Sequence, residues 1–220
     1  ILEIRHGEPR SPPRQDHKMS QIGTKRLILC LSLITIFASS LWAQTNPKSG
    51  ALALDKGDFK VGYSPADLAQ GPKKPMPADE KAILKEIADA LNGLIALPKD
   101  VYLNFDTCNE ANAFYSPDTT EITICYELVD QFDREFKTIT KDQAKVDSMV
   151  EDTIIQTFFH ELGHCLIDVW DLPATGREED AVDQLATVIM LDGSKEGQAS
   201  AINAAIEFDI ASRGETKGTM

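Results

Sequence analysis

Hydrophobic residues recur at helical spacing in the stretch 78–97. Ile83, Ile87 and Leu91 follow one another at intervals of four residues, which places them along one face of a helix. Pro98 comes directly afterwards, and a proline cannot continue a helical hydrogen-bond ladder. The pattern therefore predicts a helix over 78–97.

A different periodicity, with apolar residues at every second position, predicts strands. It occurs at 59–63 and again at 101–105, as in strands with one buried face. The segments 113–115 and 121–126 flank the sequence Ser-Pro-Asp-Thr-Thr at 116–120. Such a polar turn between two short apolar runs predicts a β-hairpin.

Helical spacing returns in the second half of the chain. The predicted helices cover Leu128–Phe136, Asp142–Trp170, Glu178–Leu191 and Gly197–Ile210. Strands thus precede most of the helices, without an alternation of strand and helix. This order favours an α+β fold with a small antiparallel or mixed sheet.

The segment 19–43 has the three parts of a secretory signal peptide. Lys25 and Arg26 precede the apolar run 27–38, and small residues follow. The run is shorter than the roughly 20 residues that span a bilayer. We therefore predict cleavage before Gln44, export to the periplasm or the medium, and no stable membrane anchor after cleavage.

The remaining chain divides into three parts by composition. Residues 1–18 are polar and aperiodic, and we interpret them as upstream sequence without a function of its own. Residues 44–77 are rich in proline and glycine, as in a linker-rich entry segment. Residues 78–220 carry the periodic patterns and are predicted to form the functional domain.

Composition and charge exclude several classes of function. The 220 residues have a net charge of −13, which disfavours binding to nucleic acid and is typical of a solvated acidic surface. Cys108 and Cys125 flank the predicted hairpin. In an exported protein they can form a disulfide, and the alternative is a pair of buried thiols.

The sequence His-Glu-Leu-Gly-His at 160–164 carries the candidate chemistry. His160 and His164 occupy two of the four histidine positions of the chain, and at this spacing they lie on one helix face, where both can bind one Zn²⁺. Glu161 points in another direction and can act on a water as general base. A pair of ordinary surface histidines is the alternative interpretation.

The third ligand can be narrowed by elimination. No histidine follows His164, so a carboxylate or a cysteine is required. Acidic residues open the next predicted helix at 178–180, and Asp183 lies one turn further on. On a helical projection, Glu179 and Asp183 share a face at the border of the apolar arc. Candidate alternatives are Glu178, which falls inside that arc, Asp180, which falls away from it, and Cys165.

The stretch HELGHCLIDVWDLPATGREEDAVDQLATVIML at 160–191 resembles the gluzincin-type zinc metallopeptidases. In that family, HExxH is followed on a second helix by Glu-x-x-x-Asp, which here matches Glu179 and Asp183. With CNEANAFYSPDTTEITICYEL at 108–128, the chain also resembles a domain-of-unknown-function family of bacterial proteins described as metallopeptidases. The resemblance implies a zincin-like fold, in which the sheet packs on the active-site helix. It also implies Zn²⁺ bound by His160, His164 and Glu179, with Asp183 supporting His160.

The resemblance further implies a group that stabilises the oxyanion and a strand that holds the substrate. Family members use a histidine or tyrosine that follows the third ligand, and this chain has neither after His164. Tyr115, Tyr126 and Arg177 are therefore the candidates. By the same resemblance, the strand 121–126 is expected to be the edge strand that holds an extended peptide.

These expectations combine into two hypotheses about function. The first is an exported zinc-dependent metallopeptidase that acts on peptides or proteins, with His160, His164 and Glu179 as ligands and Glu161 as general base. The second is a non-catalytic exported module that contains zinc in a binding or structural role. The missing downstream histidine or tyrosine is the feature that favours the second hypothesis.

Overall fold

Four strands form a mixed sheet within residues 55–191 and 193–217, which are the part of the chain that the computed structural model describes. They are β1 (Phe59–Val61), β2 (Val101–Asp106), β3 (Ala113–Ser116) and β4 (Glu121–Cys125), in the spatial order β1-β2-β4-β3. β1 and β4 both run parallel to β2, and β3 runs antiparallel to β4. The predicted α+β fold with a small antiparallel or mixed sheet is confirmed. All assignments for residues 1–54, the signal-peptide prediction among them, lie outside the described residues.

The order of the strands corrects one expectation about the substrate-holding edge. The hairpin places β4 between β2 and β3, so β4 is an inner strand, and its residues are buried along its whole length. The edge strand next to the long helix is β3 instead. The sequence could not show this, because the two strands of a hairpin have the same periodicity whichever of them reaches the edge.

Six helices accompany the sheet in the described residues. They are α1 (Pro65–Leu68), α2 (Ala78–Asn92), α3 (Tyr126–Ile139), α4 (Gln143–Val169), α5 (Glu178–Met190) and α6 (Lys195–Lys217). All the predicted helices are present, although α2 ends five residues earlier than predicted and α6 ends seven residues later. None of these helices combines the length and the apolar character that crossing a bilayer requires.

Helix α2 is shorter than predicted, because the chain turns before Leu97. Gly93 is its C-cap and donates its N–H to the carbonyl of Asp89. Leu97 is fully buried and forms an isolated bridge with Gly57. A Cβ at Gly57 would lie 2.1 Å from the carbonyl carbon of Lys99, so only glycine permits this close approach.

Helix α4 is the central element of the fold. It contacts α3, α5 and α6 on its helical sides and β3 and β4 on the sheet side, so nearly its whole circumference is covered, as expected for a buried helix. The Asp142 side chain caps its first turn by accepting hydrogen bonds from two backbone N–H groups. Side chains on α4 therefore project from a rigid axis.

A buried polar contact joins the last helix to α4. The carboxylate of Asp152 accepts hydrogen bonds from Ser200 Oγ (2.6 Å) and Asn203 Nδ2 (2.7 Å). Asp152 is fully buried, where a charge is tolerated only if it is well hydrogen-bonded. The contact fixes α6 against α4, and it therefore fixes the side chains one turn further along α6.

A disulfide closes the loop that contains β3. It joins Cys108, after β2, to Cys125, the last residue of β4. The Glu127 carboxylate also accepts hydrogen bonds from the backbone N–H groups of Cys108 (3.1 Å) and Asn109 (2.9 Å). A loop of this size gains about 3 kcal/mol from the crosslink under the chain-entropy model. Both contacts hold the start of β3 in place.

Candidate metal centre

Two histidines one turn apart on α4 direct their Nε2 atoms at each other. The Nε2 atoms of His160 and His164 lie 3.2 Å apart. Helix α5 returns along α4 and brings the carboxylate of Glu179 to the same point, where its Oε2 lies 3.2 Å from His160 Nε2 and 3.5 Å from His164 Nε2. The three groups predicted as ligands thus converge within one cluster.

The other nitrogen of each ring is bound to a carboxylate on α5. His160 Nδ1 lies 2.8 Å from Asp183 Oδ1, and His164 Nδ1 lies 2.7 Å from Glu178 Oε1. A carboxylate at Nδ1 favours the tautomer that carries its proton there, which leaves the Nε2 lone pair exposed. Two lone pairs and a carboxylate oxygen then face one point, and such an arrangement favours a cation between them.

The surroundings also favour positive charge. Burial lowers the pKa of His164, but the hydrogen bond to Glu178 and the negative charges of Glu179 and Glu161 outweigh it, and the net pKa is raised. A site that raises the pKa of a histidine stabilises a cation by the same electrostatic attraction.

The distances fit a tetrahedrally bound divalent metal ion such as Zn²⁺. Bonds of about 2.0–2.1 Å to nitrogen and oxygen in tetrahedral geometry place ligand atoms roughly 3.3–3.4 Å apart. The separations of 3.2, 3.2 and 3.5 Å match this value. Three protein ligands with the fourth side toward a cavity is the donor set of a catalytic zinc site.

The structure gives Glu178 a role that the sequence did not assign. The sequence offered it as an alternative ligand, and its carboxylate instead contacts the Nδ1 of His164. The sequence feature that could have predicted this contact is the position of Glu178 inside the apolar arc of α5, because that arc faces α4. Asp180 is exposed and stands outside the cluster. Cys165 is fully buried and outside the cluster, and burial raises the pKa of its thiol to about 12.

Glu161 lies between the metal cluster and the edge strand. Its side chain is buried, and its Oε2 accepts a hydrogen bond of 2.9 Å from the backbone N–H of Tyr115 on β3. Burial raises the pKa of Glu161, against the lowering effect of His160, His164 and the Tyr115 N–H. A carboxylate with a raised pKa that is held in a fixed orientation is suited to accept a proton and pass it on.

The three oxyanion candidates occupy different places. The Tyr115 hydroxyl faces the cavity but donates a 2.6 Å hydrogen bond to Asp168, which also pairs with Lys99 at 3.1 Å. The hydroxyl of Tyr126 contacts Glu80, and Tyr126 does not line the cavity. Arg177 is the exposed N-cap of α5 and does not line it either. The structure therefore brings Tyr115 alone of these three to the site.

The close approach of α5 to α4 depends on Gly163, inside the HExxH sequence. A Cβ at this position would lie 2.7 Å from Cγ1 and 3.2 Å from Cα of Val182. Val182 is itself buried on α5, one residue before Asp183. The spacing of the two helices, and so the position of Glu179 and Asp183, therefore requires a glycine here.

We expect Gly163→Ala to push α5 away from α4. Overpacking of this kind costs about 1–3 kcal/mol, and the shift would also separate Glu179 from the histidines. Chemical denaturation and zinc titration should show lower stability together with weaker zinc binding. Gly176→Ala is the matched control, because its Cβ would contact nothing within 4 Å. Unchanged zinc affinity in Gly163→Ala would show that the helix spacing does not set the ligand geometry.

Two cavities adjoin the cluster at β3, one along the strand from Ala113 to Pro117 and one at its Ala113 end. The first has a volume of about 640 Å³ and extends past Tyr115 and Pro117. The second, of about 360 Å³, extends from Ala113 between α3, α4 and α6. Both are bordered by His160 and Glu161. They share the lining residues Ala113, His160 and Glu161, and we refer to the two cavities together as the trough.

A buried carboxyl pair lies at the second cavity. Glu207 on α6 lines the cavity and is 6% exposed. Burial, together with the charge of Glu135 on α3 and a hydrogen bond between the two carboxyls, raises the pKa of Glu207 to about 7. Two carboxyls can share a hydrogen bond only when one of them is protonated.

The pair of Glu135 and Glu207 should lower the free energy of unfolding as the pH rises. The pKa of Glu207 is about 7 in the folded state and about 4.3 in an unfolded chain, so the unfolded state ionises first. Stability from this group is therefore complete below about pH 4.3 and is lost as the pH rises to about 7, by up to roughly 4 kcal/mol. Glu207→Gln should remove this loss. Denaturation of metal-free protein between pH 5 and 8 measures it, and parallel curves for the two proteins would contradict the assignment.

Comparison with known proteins assigns the chain to a family. Residues 65–219 match the model of the family DUF4344, which is described as "Putative metallopeptidase". No curated protein and no solved structure matches the chain. The matched region includes the sheet edge, the HExxH helix and α5 with its acidic residues. The chain therefore belongs to the DUF4344 family of metallopeptidase-like proteins.

Proposed function

We propose that this protein is an exported zinc-dependent peptidase. The observation that carries the proposal is the convergence of His160 Nε2, His164 Nε2 and Glu179 Oε2 beside the buried carboxylate of Glu161. Membership of a metallopeptidase family supports the reaction class at a coarse level. Zn²⁺ bound to these three residues would supply the Lewis acidity that activates a water and polarises a peptide carbonyl.

Glu161 is the proton carrier in this proposal. It takes the proton of the attacking water and transfers it to the nitrogen of the leaving amine, as general acid–base catalysis requires. Its burial keeps the pKa high enough for the carboxyl to hold that proton between the two transfers. The Tyr115 N–H binds one carboxylate oxygen, which leaves the other oxygen for the proton transfers.

The edge strand β3 is proposed to align the peptide. The Tyr115 N–H points away from β4, toward Glu161, and backbone groups at alternate residues of a strand face the same side. The carbonyls of Ala113 and Tyr115 therefore face the trough. An extended peptide can donate its N–H groups to them and add a strand to the sheet.

A zinc-containing module without catalysis is the second candidate. It is favoured by the Tyr115 hydroxyl, which is directed at Asp168, and by the absence of histidine and tyrosine after position 164 in the sequence. Burial and the bond to Asp168 raise the pKa of Tyr115. The phenol therefore keeps its proton and can serve the oxyanion only after this bond breaks.

One experiment separates the two candidates. The protein is purified, its zinc content is measured, and it is incubated with an unstructured protein substrate. A peptidase should hold about one zinc per chain, cleave the substrate, lose activity with a chelator and regain it when zinc returns. Zinc binding without cleavage of several unstructured substrates would favour the non-catalytic module.

Export forms a separate part of the proposal, supported by the sequence at 19–43. When the gene is expressed from Met19 in a secreting bacterium, the mature protein should begin at Gln44. Leu41 is large for the position three residues before the cut, so cleavage after Ser40 is the second expected site. N-terminal sequencing of the secreted protein tests this, and a chain that still begins at Met19 would contradict export by this signal.

A further inference from the structure

The cavity at the Ala113 end of β3 has an unusual charge pattern. Apart from its ionisable groups and Thr157, its lining is apolar or amide-bearing, with Leu128, Gln131 and Phe132 from α3 and Phe208 from α6. The ionisable groups at it are His160, Glu161, Asp183 and Glu207. No lysine or arginine of the described residues lines this cavity or the neighbouring one. The trough therefore offers negative charge that no lysine or arginine of its lining neutralises.

Glu207 is the acidic residue on which the binding properties of this cavity depend. Its side chain is 94% removed from solvent, since only 6% is exposed, and it is adjacent to a second acid, Glu135. Oε1 of Glu135 accepts a hydrogen bond of 3.0 Å from Gln131 Nε2, and its buried Oε2 has no donor among the described side chains other than the Glu207 carboxyl. Among the described side chains, no lysine or arginine forms an ion pair with either carboxyl. A buried acid without a cationic partner is costly in a fold, and a ligand can supply that partner.

We propose that this cavity is a specificity pocket that binds the lysine or arginine side chain of a peptide substrate, with Glu207 as the charged partner. The proposal rests on the peptidase function and names the substrate class of that same site. A volume of about 360 Å³ is within the range of small-ligand pockets. The apolar walls suit the methylene stem of a basic side chain, whose charged end reaches toward the acid.

The direction of β3 indicates which substrate residue enters the pocket. β3 runs from Ala113 toward Ser116, and antiparallel pairing is the more stable arrangement for an added strand. A peptide in that direction passes Tyr115 first and Ala113 last. The residue on the carboxyl side of the cleaved bond therefore lies at the Glu207 cavity.

The alternative is that the carboxyl pair has a structural role only. One shared proton would then satisfy both groups, and the pair would not contact substrate. Glu207→Gln distinguishes the two, because its amide can still donate a hydrogen bond to Glu135 but cannot pair with a cation. The contact of Asp152 with Ser200 and Asn203 holds α6 in place independently of this substitution.

The test begins with the cleavage sites of the zinc-loaded full chain. Cuts in an unstructured protein are mapped by mass spectrometry, and the best-cleaved peptide is then made with arginine or with the neutral isostere citrulline after the cut. Lysine and arginine should be enriched there, and citrulline should lower kcat/KM roughly tenfold to a hundredfold. Glu207→Gln should reduce this ratio to near one. Glu196→Gln, an exposed acid on the same helix, is the matched control and should leave the ratio unchanged.

A binding measurement keeps the outcome independent of turnover. A randomised peptide pool is bound to zinc-loaded Glu161→Gln and, in parallel, to the same variant with Glu207→Gln added. Basic residues should be enriched on the first protein and lose that enrichment on the second. Cleavage without a basic preference overturns the pocket assignment but leaves the peptidase proposal intact. No cleavage of any peptide overturns the peptidase proposal, and equal pools on the two variants then overturn the pocket as well.

Discussion

Glu161→Gln should keep about one zinc per chain and lose hydrolysis by roughly 10²–10⁴-fold, the usual contribution of a general base. Glutamine has the shape of glutamate and can still accept the hydrogen bond from Tyr115 N–H, so the site should stay folded. It cannot take a proton from water, because an amide is not a base at neutral pH. Metal analysis and kcat/KM on one peptide measure the two effects separately.

The comparison of Glu161→Gln with the unaltered protein needs a control for the loss of one negative charge. Glu196→Gln is exposed and distant in sequence from the cluster, and it should retain both zinc and turnover. Loss of zinc from Glu161→Gln would assign that residue to the metal rather than to the proton. Full activity with zinc retained would assign the proton transfers to another group.

Glu179→Ala should release most of the zinc, whereas Glu178→Ala should retain the metal with weaker affinity. Glu179 Oε2 is one of three converging ligand atoms, so its loss leaves two protein ligands. Glu178 acts through His164 Nδ1, and loss of such a partner typically costs 10–100-fold in metal affinity. Asp183→Asn should behave like Glu178→Ala, because Asp183 supports His160 in the same way.

Zinc titration with a competing chelator measures all three variants on one scale. The pair at 178 and 179 is well matched, because the two residues are neighbours in the first turn of α5 and both are partly exposed. An empty site in Glu178→Ala combined with a full site in Glu179→Ala would reverse their roles. The match of Glu-x-x-x-Asp to the gluzincin pattern would then be accidental.

The sequence predicted the helices well, because their apolar faces have a clear period and their ends carry caps or breakers. Asp142 caps α4, which is a local signal. Pro98 placed the end of α2 too late, because that helix stops at Asn92 with Gly93 as its C-cap. The sheet order was less accessible, since pairing between distant strands leaves no local signal. β1 has three residues, too few for a reliable period, and its parallel pairing with β2 could not be read from them.

Within the candidate site, the sequence predicted the groups on one helix better than those between helices. His160, Glu161 and His164 follow from spacing alone. The contact of Glu178 with His164 depends on how α5 turns back at 171–177, which no periodicity describes. The carboxyl pair of Glu135 and Glu207 joins α3 to α6, and residues so far apart in sequence cannot be associated without the fold.

The hydrogen bond from the Tyr115 N–H to Glu161 does not depend on which side chain occupies position 115. Its donor belongs to the main chain, so nineteen of the twenty amino acids at position 115 supply the same N–H, and proline alone removes it. The hydroxyl contact with Asp168, by contrast, disappears with almost any change of side chain. Most substitutions at position 115 should therefore leave the orientation of the Glu161 carboxylate unchanged. Sequence variation there remains free to reshape the trough without displacing the catalytic carboxylate.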